Sequence, residues 1–480
     1  MALVYTLLGV PVKAVFVVIF AKFMSFPKEI FKAYDIRGLV EGELSEELAY
    51  AVGRAFVVLL REKGIALHGK SLIVGQDMRA TSPAFAEQVM RGINAEGVDV
   101  IDIGMTTTPV FNVSCAEGAE FAGGIMVTAS HNPSEYNGFK LTMDTGLPIG
   151  KDTGMGRLYE LADAGEWVDA EVAGTIEKRD VRDAYIEKLF SFVDTAVIKP
   201  LKIVIDGGNG MGDVIFPLWL KKLPVEVTYM YMEPDGTFPN HEANPLKSET
   251  LLDLSKKVVE LGADFGFALD GDADRVGFVD ETGAVIDPSA VAGIIGLEFL
   301  KTHPKAHMLY DLRSSRVLKD VFEAQGATTE PCMVGHANIK KMMKEVNAQF
   351  ASELSLHIFF GNMHNLESTD LCLLSVLALL STDPKKISEH AAAFAKYAHS
   401  GEMNFEVEDK DGAIARLKEV YGSQAKKELE LDGLWLELDW GWFNVRKSNT
   451  EPVLRLNLET EDRALTEEKV AEVKKVILGE

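Results

Sequence analysis

The sequence predicts an α/β fold: three related mixed-sheet α/β domains and a smaller α+β domain at the C-terminal end, set around a central cleft. Apolar strand-like runs alternate with stretches of helical spacing along most of the chain, the pattern of sheets whose strands are joined through helices. A strand ending in an acidic residue and a turn recurs from Val74 to Arg79, from Ile205 to Asn209 and from His307 to Ser315, a weak repeat of one unit without sequence identity. The C-terminal part is patterned differently. There, Glu428-Leu429-Glu430-Leu431 and Leu434-Trp435-Leu436-Glu437-Leu438-Asp439 alternate in polarity on either side of the turn signal Asp432-Gly433. Such alternation predicts an antiparallel sheet with one wet face.

Taken in order, Met1 to Met24 is apolar apart from Lys13 and Lys22. Pro11 and Lys13 interrupt the run of about 20 apolar residues that a membrane span needs, and no clear secretory pattern is present. We therefore expect residues 1–24 to be an extension outside the fold, with Met24 as the biological start and a membrane anchor only if the extension is retained. The first domain is expected over 25–175. It has helical spacing in Glu46, Leu48, Ala51, Val52, Phe56, Leu59 and Leu60, and strands from Ser71 to Gly75 and from Val98 to Ile103, the latter ending in the loop Gly104 to Pro109. Gly124-Ile125-Met126-Val127 then reads as a buried strand closed by a polar turn.

The second domain, 176–275, opens on a helix with Val181, Tyr185, Leu189 and Phe192 on one face, followed by the strand Leu201 to Asp206 and the turn Gly207 to Gly212. That turn has neither the Lys-Ser/Thr of a P-loop nor GxGxxG spacing, so its glycines are assigned to tight turns and close packing. The third domain, 276–383, contains the strand His307 to Leu312, a helix opened by Val334 to Lys340 and the apolar helix Leu371 to Leu380. It ends where Ser381-Thr382-Asp383-Pro384 breaks the chain. The fourth, 384–480, closes on a helix carrying Val470, Val473, Val476 and Ile477.

Two stretches carry chemistry. Thr128-Ala129-Ser130-His131-Asn132-Pro133 follows a strand, which puts the Ser130 hydroxyl at the carboxyl end of a sheet, where open α/β sheets bind ligands. A serine there is a turn residue unless something activates it. Asp270-Gly271-Asp272-Ala273-Asp274-Arg275 leaves the strand Phe265 to Leu269 with carboxylates at alternate positions. Anions held so close repel one another unless a cation sits among them, and oxygen ligands select magnesium or calcium. A calcium loop of the helix–loop–helix kind would need flanking helices and a glutamate downstream, whereas this loop leaves a strand.

These stretches, with Asn137-Gly138-Phe139-Lys140 and the C-terminal Arg446-Lys447-Ser448-Asn449-Thr450-Glu451-Pro452, resemble the α-D-phosphohexomutase superfamily, in its phosphomannomutase/phosphoglucomutase branch. The resemblance runs in order from about Phe31 to the end. It implies a TATA-box-binding-protein-like last domain and an isomerase that interconverts the 1-phosphates and 6-phosphates of mannose or glucose through a phosphoserine and a hexose 1,6-bisphosphate. On the matching positions it implies Ser130 as the phosphorylated nucleophile, and Asp270, Asp272, Asp274 and Ser130 as ligands of Mg2+. Tyr34, Arg37, His131, Lys140, Arg275, Arg313 and His336 become active-site groups, with Lys140 or His336 moving the proton of the sugar hydroxyl. Glu353, Ser355 and His357 become the sugar contacts. Arg446, Ser448, Asn449, Thr450 and Arg455 become a clamp for the phosphate that is held but not reacted.

Ser352 and Leu356 depart from the family's sugar loop, Gly-Glu-x-Ser-Gly/Ala-His, and the larger Leu356 puts the placement of the loop, and with it sugar choice, in question. Asn449 stands where phosphoglucosamine mutases usually carry glycine and favours the other branch. The alternatives are a phosphoglucosamine mutase, a metal-dependent phosphatase and a non-catalytic sugar-phosphate-binding homologue.

Composition sets the limits. A chain of 480 residues is too long for one ordinary core, and 47% hydrophobic with 25% charged residues is the balance of a soluble globular protein. A formal charge of −24 argues against a nucleic-acid partner. It also repels sugar phosphates, so the site must gather its own cations. Cys115, Cys332 and Cys372, few and far apart, read as buried thiols of a reducing compartment. The expectation is a cytoplasmic monomer or homodimer acting on small hexose phosphates.

Overall fold

The computed structural model describes residues 25–448 and 453–480. The expected N-terminal extension, and Asn449 and Thr450 of the expected clamp, lie outside the described residues.

Four sheets organise the described residues. The first runs, edge to edge, Ile36–Leu39, Tyr136–Met143, Phe121–Val127, Ser71–Gln76, Asp99–Met105 and Ile176–Lys178. The second runs Val276–Asp280, Phe265–Leu269, Leu201–Asp206 and Val225–Met230. The third runs Thr328–Cys332, His307–Asp311, Phe350–Ser352, Ile358–Phe360 and Leu366–Glu367. Each has a parallel part and an antiparallel part. The change falls where Phe121–Val127, Phe265–Leu269 and Phe350–Ser352 each turn back on the next strand. The three connecting loops are the serine stretch, the aspartate stretch and the expected sugar loop, so one topology delivers all three from the carboxyl ends of parallel strands.

Helix Glu46–Glu62 shows how the sequence sets these layers. Ser45 caps it by accepting from Leu48 N, and Leu48, Val52, Phe56, Leu59 and Leu60 bury one stripe in the core of the first unit. Thr107 likewise caps Thr108–Glu117, with Pro109 in its first turn; the preceding strand runs to Met105, so the loop expected from Gly104 is shorter than the sequence suggested. One continuous apolar cluster spans the second and third units, whereas the first and fourth units have their own. In the fourth, Leu434, Leu436 and Leu438 are buried on one side of a sheet whose pairings are all antiparallel, and Val473 and Ile477 of helix Arg463–Leu478 cover it.

Three expected boundaries move. Ile176–Lys178 pairs with Asp99–Met105 in the first sheet, so the first unit continues past 175. Val276–Asp280 returns beside Phe265–Leu269, so the second unit does not end at 275. Helix Ile387–Ala392 packs on Pro288–Thr302, and Ile387 and Phe394 join the cluster of the third unit, so the chain leaves that unit well after Asp383. Composition marks none of these places. An exposed edge strand has no apolar signal, and an apolar return strand reads as the start of something new.

Among the described residues no helix is long and apolar enough to cross a membrane. All three cysteines are buried free thiols.

Candidate active site

Ser130 sits at φ 51, in the left-handed region that a residue with a side chain seldom adopts. Its Oγ donates to Asp270 Oδ2 at 2.8 Å and lies 3.1 Å from His131 Nδ1. Burial, then Arg275 and Arg37, hold the His131 imidazole well below its usual range, so the ring is neutral. Arg37 donates to Asn132 Oδ1 at 2.7 Å and pairs with Asp35.

The aspartate loop faces this serine. Asp270, Asp272 and Asp274 are buried, and one carboxylate oxygen of each lies within 4.8 Å of the others. Asp270 Oδ1 is held by the backbone N–H groups of Asp274 and Arg275 at 2.9 and 3.0 Å. Asp272 Oδ2 accepts from Thr108 Oγ1 at 2.7 Å and, like Asp274 Oδ2, from Lys140 Nζ at 2.6 Å. Burial lowers the Lys140 ammonium, but the two carboxylates outweigh it and hold the charge. Even so, burial and the neighbouring Asp274 and Asp272 push Asp270 up to about 8. Asp272 Oδ1 is buried with no hydrogen-bond partner. An orphaned acceptor among crowded carboxylates is what a divalent oxygen-seeking cation satisfies, so the residues present fit a metal site.

On the third unit, Glu353 and His357 come together beside the aspartates. His357 Nδ1 is 2.8 Å from Glu353 Oε2 and 3.0 Å from Ser355 Oγ, and its Nε2 is 3.2 Å from Asp274 Oδ1. Burial would lower this imidazole; Asp274 and Glu353 outweigh it and raise it to about 9. The loop is therefore tied into the cluster with Leu356 in place, and the leucine adapts by taking φ 71 while buried. Leu356 O accepts from Val276 N, next to the aspartate loop.

His336 is the first residue of helix His336–Val346, and Gly335 occupies the N-cap position without a side-chain cap. Its ring packs edge-on to Tyr34, at 5.4 Å between centroids, and lies 6.1 Å from His357. Burial, then Lys340 and Lys140, hold it neutral. Gly335 is required there: a Cβ would lie 2.4 Å from the Tyr34 ring, and its φ is +109. Arg275 Nε is 3.3 Å from His357 Nε2 and 4.0 Å from Asp270 Oδ2.

From the fourth unit, Arg446 and Arg455 lie opposite each other on neighbouring strands, with Ser448 just beyond. Both arginines reach Glu402, and so does Arg313, which also holds Asp311 at 2.7 Å and Glu353 at 3.3 Å.

Sequence reasoning missed three supporting groups. Thr108 holds Asp272 from the first unit. Glu402 gathers the arginines. Arg79, buried, donates to the carbonyls of Ser130, Asn132, Pro133 and Tyr136 and so shapes the whole serine loop. The one available signal was the repeat itself, since Asp77-Met78-Arg79 and Asp311-Leu312-Arg313 follow corresponding strands.

Comparisons with known proteins agree with this layout. The chain matches the family "Phosphoglucomutase/phosphomannomutase" in its alpha/beta/alpha domain I over residues 28–168, domain II over 183–283, domain III over 287–397 and C-terminal domain over 402–476. It is 38% identical over 451 residues to a protein of Xanthomonas campestris named "Phosphohexose mutases", covering 94% of this chain and 99% of that one. The crystal structure of a phosphoglucomutase/phosphomannomutase family protein from Burkholderia thailandensis superposes with a TM-score of 0.84 at 30% identity, covering 94% and 98% of the two chains. The N-acetylphosphoglucosamine mutase of Aspergillus fumigatus, described in complex with GlcNAc-6P and magnesium, shares the fold with a TM-score of 0.62 at 14% identity, covering 95% of each chain.

Proposed function

Because the chain belongs to the phosphoglucomutase/phosphomannomutase family and is a hexose-phosphate mutase, an isomerase, we propose that Ser130 is its phosphoryl carrier and that mannose and glucose phosphates are its substrates. One observation carries the assignment: the Ser130 hydroxyl lies one hydrogen bond from a buried carboxylate cluster that contains an orphaned acceptor.

Carbons 1 and 6 of a hexose are too far apart for direct transfer, so the phosphoryl group passes through the protein. The bond from Ser130 Oγ to phosphorus breaks as a bond from the free sugar hydroxyl forms, and the hydroxyl proton leaves to a base. His336, neutral, is better suited to accept it than Lys140, which is already charged. The freed Ser130 oxygen takes up a proton from His131, the resulting 1,6-bisphosphate turns end for end, and Ser130 attacks the other phosphorus, whose bond to the sugar oxygen breaks as that oxygen takes back the proton held by His336. The serine proton passes to His131 Nδ1, 3.1 Å away. Lys140, Arg37 and Arg275 stabilise the charge of the oxygens in transit. Magnesium, held by Asp270, Asp272 and Asp274 with Ser130 as a further ligand, supplies neutralisation of that charge when bound.

Glu353, Ser355 and His357 select the sugar through neighbouring hydroxyls, with Tyr34 behind His336 and Arg313 behind Glu353. Arg446, Ser448 and Arg455, together with Asn449 and Thr450 by resemblance, hold the distal phosphate. Movement of the fourth unit onto the sugar excludes water, which would otherwise hydrolyse the phosphoserine.

Intact mass before and after phosphatase treatment, with the modified residue mapped, tests the carrier directly. Ser130→Ala is expected to lose the phosphate and about three orders of magnitude in kcat. A variant that isomerises as fast as its parent sinks the assignment.

A further inference from the structure

The two arginines assigned to the distal phosphate are not waiting empty. Glu402, immediately before the strand Met403–Glu406, places Oε2 3.0 Å from Arg446 Nη2 and 3.3 Å from Arg313 Nη1, and Oε1 3.0 Å from Arg455 Nη1. Burial would raise this carboxyl; Arg313, Arg446 and Arg455 outweigh it and keep it an anion. Arg446 and Arg455 are in register on adjacent strands. Like charges directly opposed are unfavourable, and a buried guanidinium such as that of Arg446 needs an anion beside it.

Resting on the clamp assigned above, we propose that Glu402 is its resident counter-anion, a carboxylate that trades places with the distal phosphate of the sugar. The charge balance gives it a purpose. Arg446 and Arg455 both bring positive charge to it, and Arg313 is shared with Asp311 and Glu353. With Glu402 among them, an arriving phosphate dianion meets less positive charge than the arginines alone would present, so it is held less tightly.

For a mutase that is an advantage, because the bisphosphate must release the clamp and be gripped again by its other end in every turnover. Binding that is equally strong before and during the reaction would only slow that exchange. As a phosphate leaves, the carboxylate closes on the arginines and takes its place beside them. Glu402 also reaches the sugar loop: through Arg313 it connects to Glu353, and through Glu353 to His357 and Asp274. Filling the clamp is therefore felt at the sugar contacts.

The test is calorimetric titration with glucose 6-phosphate, in a Ser130→Ala background so that no turnover occurs, with kcat and KM measured in the serine-containing proteins. Glu402→Gln is expected to bind roughly tenfold tighter, about 1.4 kcal/mol, and to show a lower KM together with a lower kcat. Glu402→Asp, whose carboxylate is kept but reaches less far, is expected to bind about threefold tighter and to recover part of kcat. A residue with a merely structural role would not lower KM and kcat together. Unchanged or weaker binding by a folded Glu402→Gln, or by Glu402→Asp where the glutamine variant does not fold, overturns the proposal. Arg455→Ala separates this from the clamp itself. If it binds as tightly as the parent, the clamp assignment has failed, whereas weakened binding there with no tightening in the Glu402 variants condemns Glu402 alone.

Discussion

The first and third units hold the loops that leave their parallel strands with the same device, and the second, between them, does not. After Ser71–Gln76 comes Asp77-Met78-Arg79, and His307–Asp311 runs into Leu312-Arg313. In both, the arginine N–H donates to the aspartate Oδ1, at 3.0 and 2.8 Å, and its Nε donates to Oδ2 at 3.2 Å. The guanidinium is thereby aimed sideways at the neighbouring loop. The second unit makes the same turn, Gly208 N donating to Asp206 Oδ1 at 2.9 Å, but has glycine where the arginine would be, and the other Asp206 oxygen faces His241. Its loop is braced by backbone instead. Met211 N donates to Gly271 O at 2.9 Å, and a Cβ on Gly210 would come within 2.6 Å of that same oxygen. The aspartate group could hold a metal ion, and a further fixed guanidinium would compete for its carboxylate oxygens.

The two arginines differ in turn. Arg79 finds mostly neutral carbonyl acceptors, and burial lowers its pKa; Arg313 finds carboxylates, and Asp311, Glu353 and Glu402 outweigh burial and raise it. One fixes a shape and the other a charge.

The largest effect is expected from breaking the shape. Arg79→Met leaves Asp77 buried without its charged partner, with Ser82 Oγ and a backbone N–H still donating to it, and takes the guanidinium donors from the carbonyls of the serine loop, of which Pro133 O keeps another from Tyr136 N. We expect a loss of about 3–5 kcal/mol of stability, read from urea unfolding, and failure to phosphorylate Ser130. Arg79→Lys should recover little, because one ammonium cannot serve acceptors spread along the loop. A methionine variant within about 1 kcal/mol of its parent would remove the distinction between the two arginines.

Next comes the backbone brace. Gly210→Ala should cost roughly 1–3 kcal/mol through overpacking against Gly271, with weaker divalent-cation binding by titration of the metal; stability loss with intact metal affinity would show that the brace does not position the aspartates. Arg313→Lys sits lower. It keeps the charge but loses the fork that joins Asp311, Glu353 and Glu402. A roughly tenfold rise in KM with little change in the unfolding midpoint is expected, and an unchanged KM would return Arg313 to a structural role.

These contrasts explain what the sequence could and could not disclose. The candidate loops were legible because each is a short run directly after an apolar strand, so residue type, order and position in the sheet are read together. Their supports were not, because each acts across the chain. Arg79 reaches Ser130 from 51 residues away and Thr108 reaches Asp272 from 164, and neither has a local pattern that announces its target. The boundary beyond Arg275 failed for a related reason: Val276–Asp280 is wholly buried, and nothing in an apolar run says which earlier strand it will pair with. Glu402 was invisible because a glutamate near a glycine reads as solvated chain until three arginines are seen to converge on it.

The smallest effect is also the most discriminating about the sugar loop. Each of the three loops contains a non-glycine residue in the left-handed region, Ser130 at φ 51, Ala273 at φ 59 and Leu356 at φ 71. In the first two the side chain is small, whereas Leu356 is large, branched and only 3% exposed. Its burial and its backbone strain oppose each other, so a single substitution cannot separate them, but a pair can. Leu356→Ala gives up the buried side chain and keeps the strain; Leu356→Gly gives up the same burial and relieves it. In ordinary helical or extended backbone glycine is the less stable of the two. Here the glycine variant should be the more stable by about 1 kcal/mol, measured as the difference between their unfolding free energies. Should alanine prove equal or better, the loop does not hold this conformation in solution, and the placement of Glu353 and His357 beside Asp274 would fall with it.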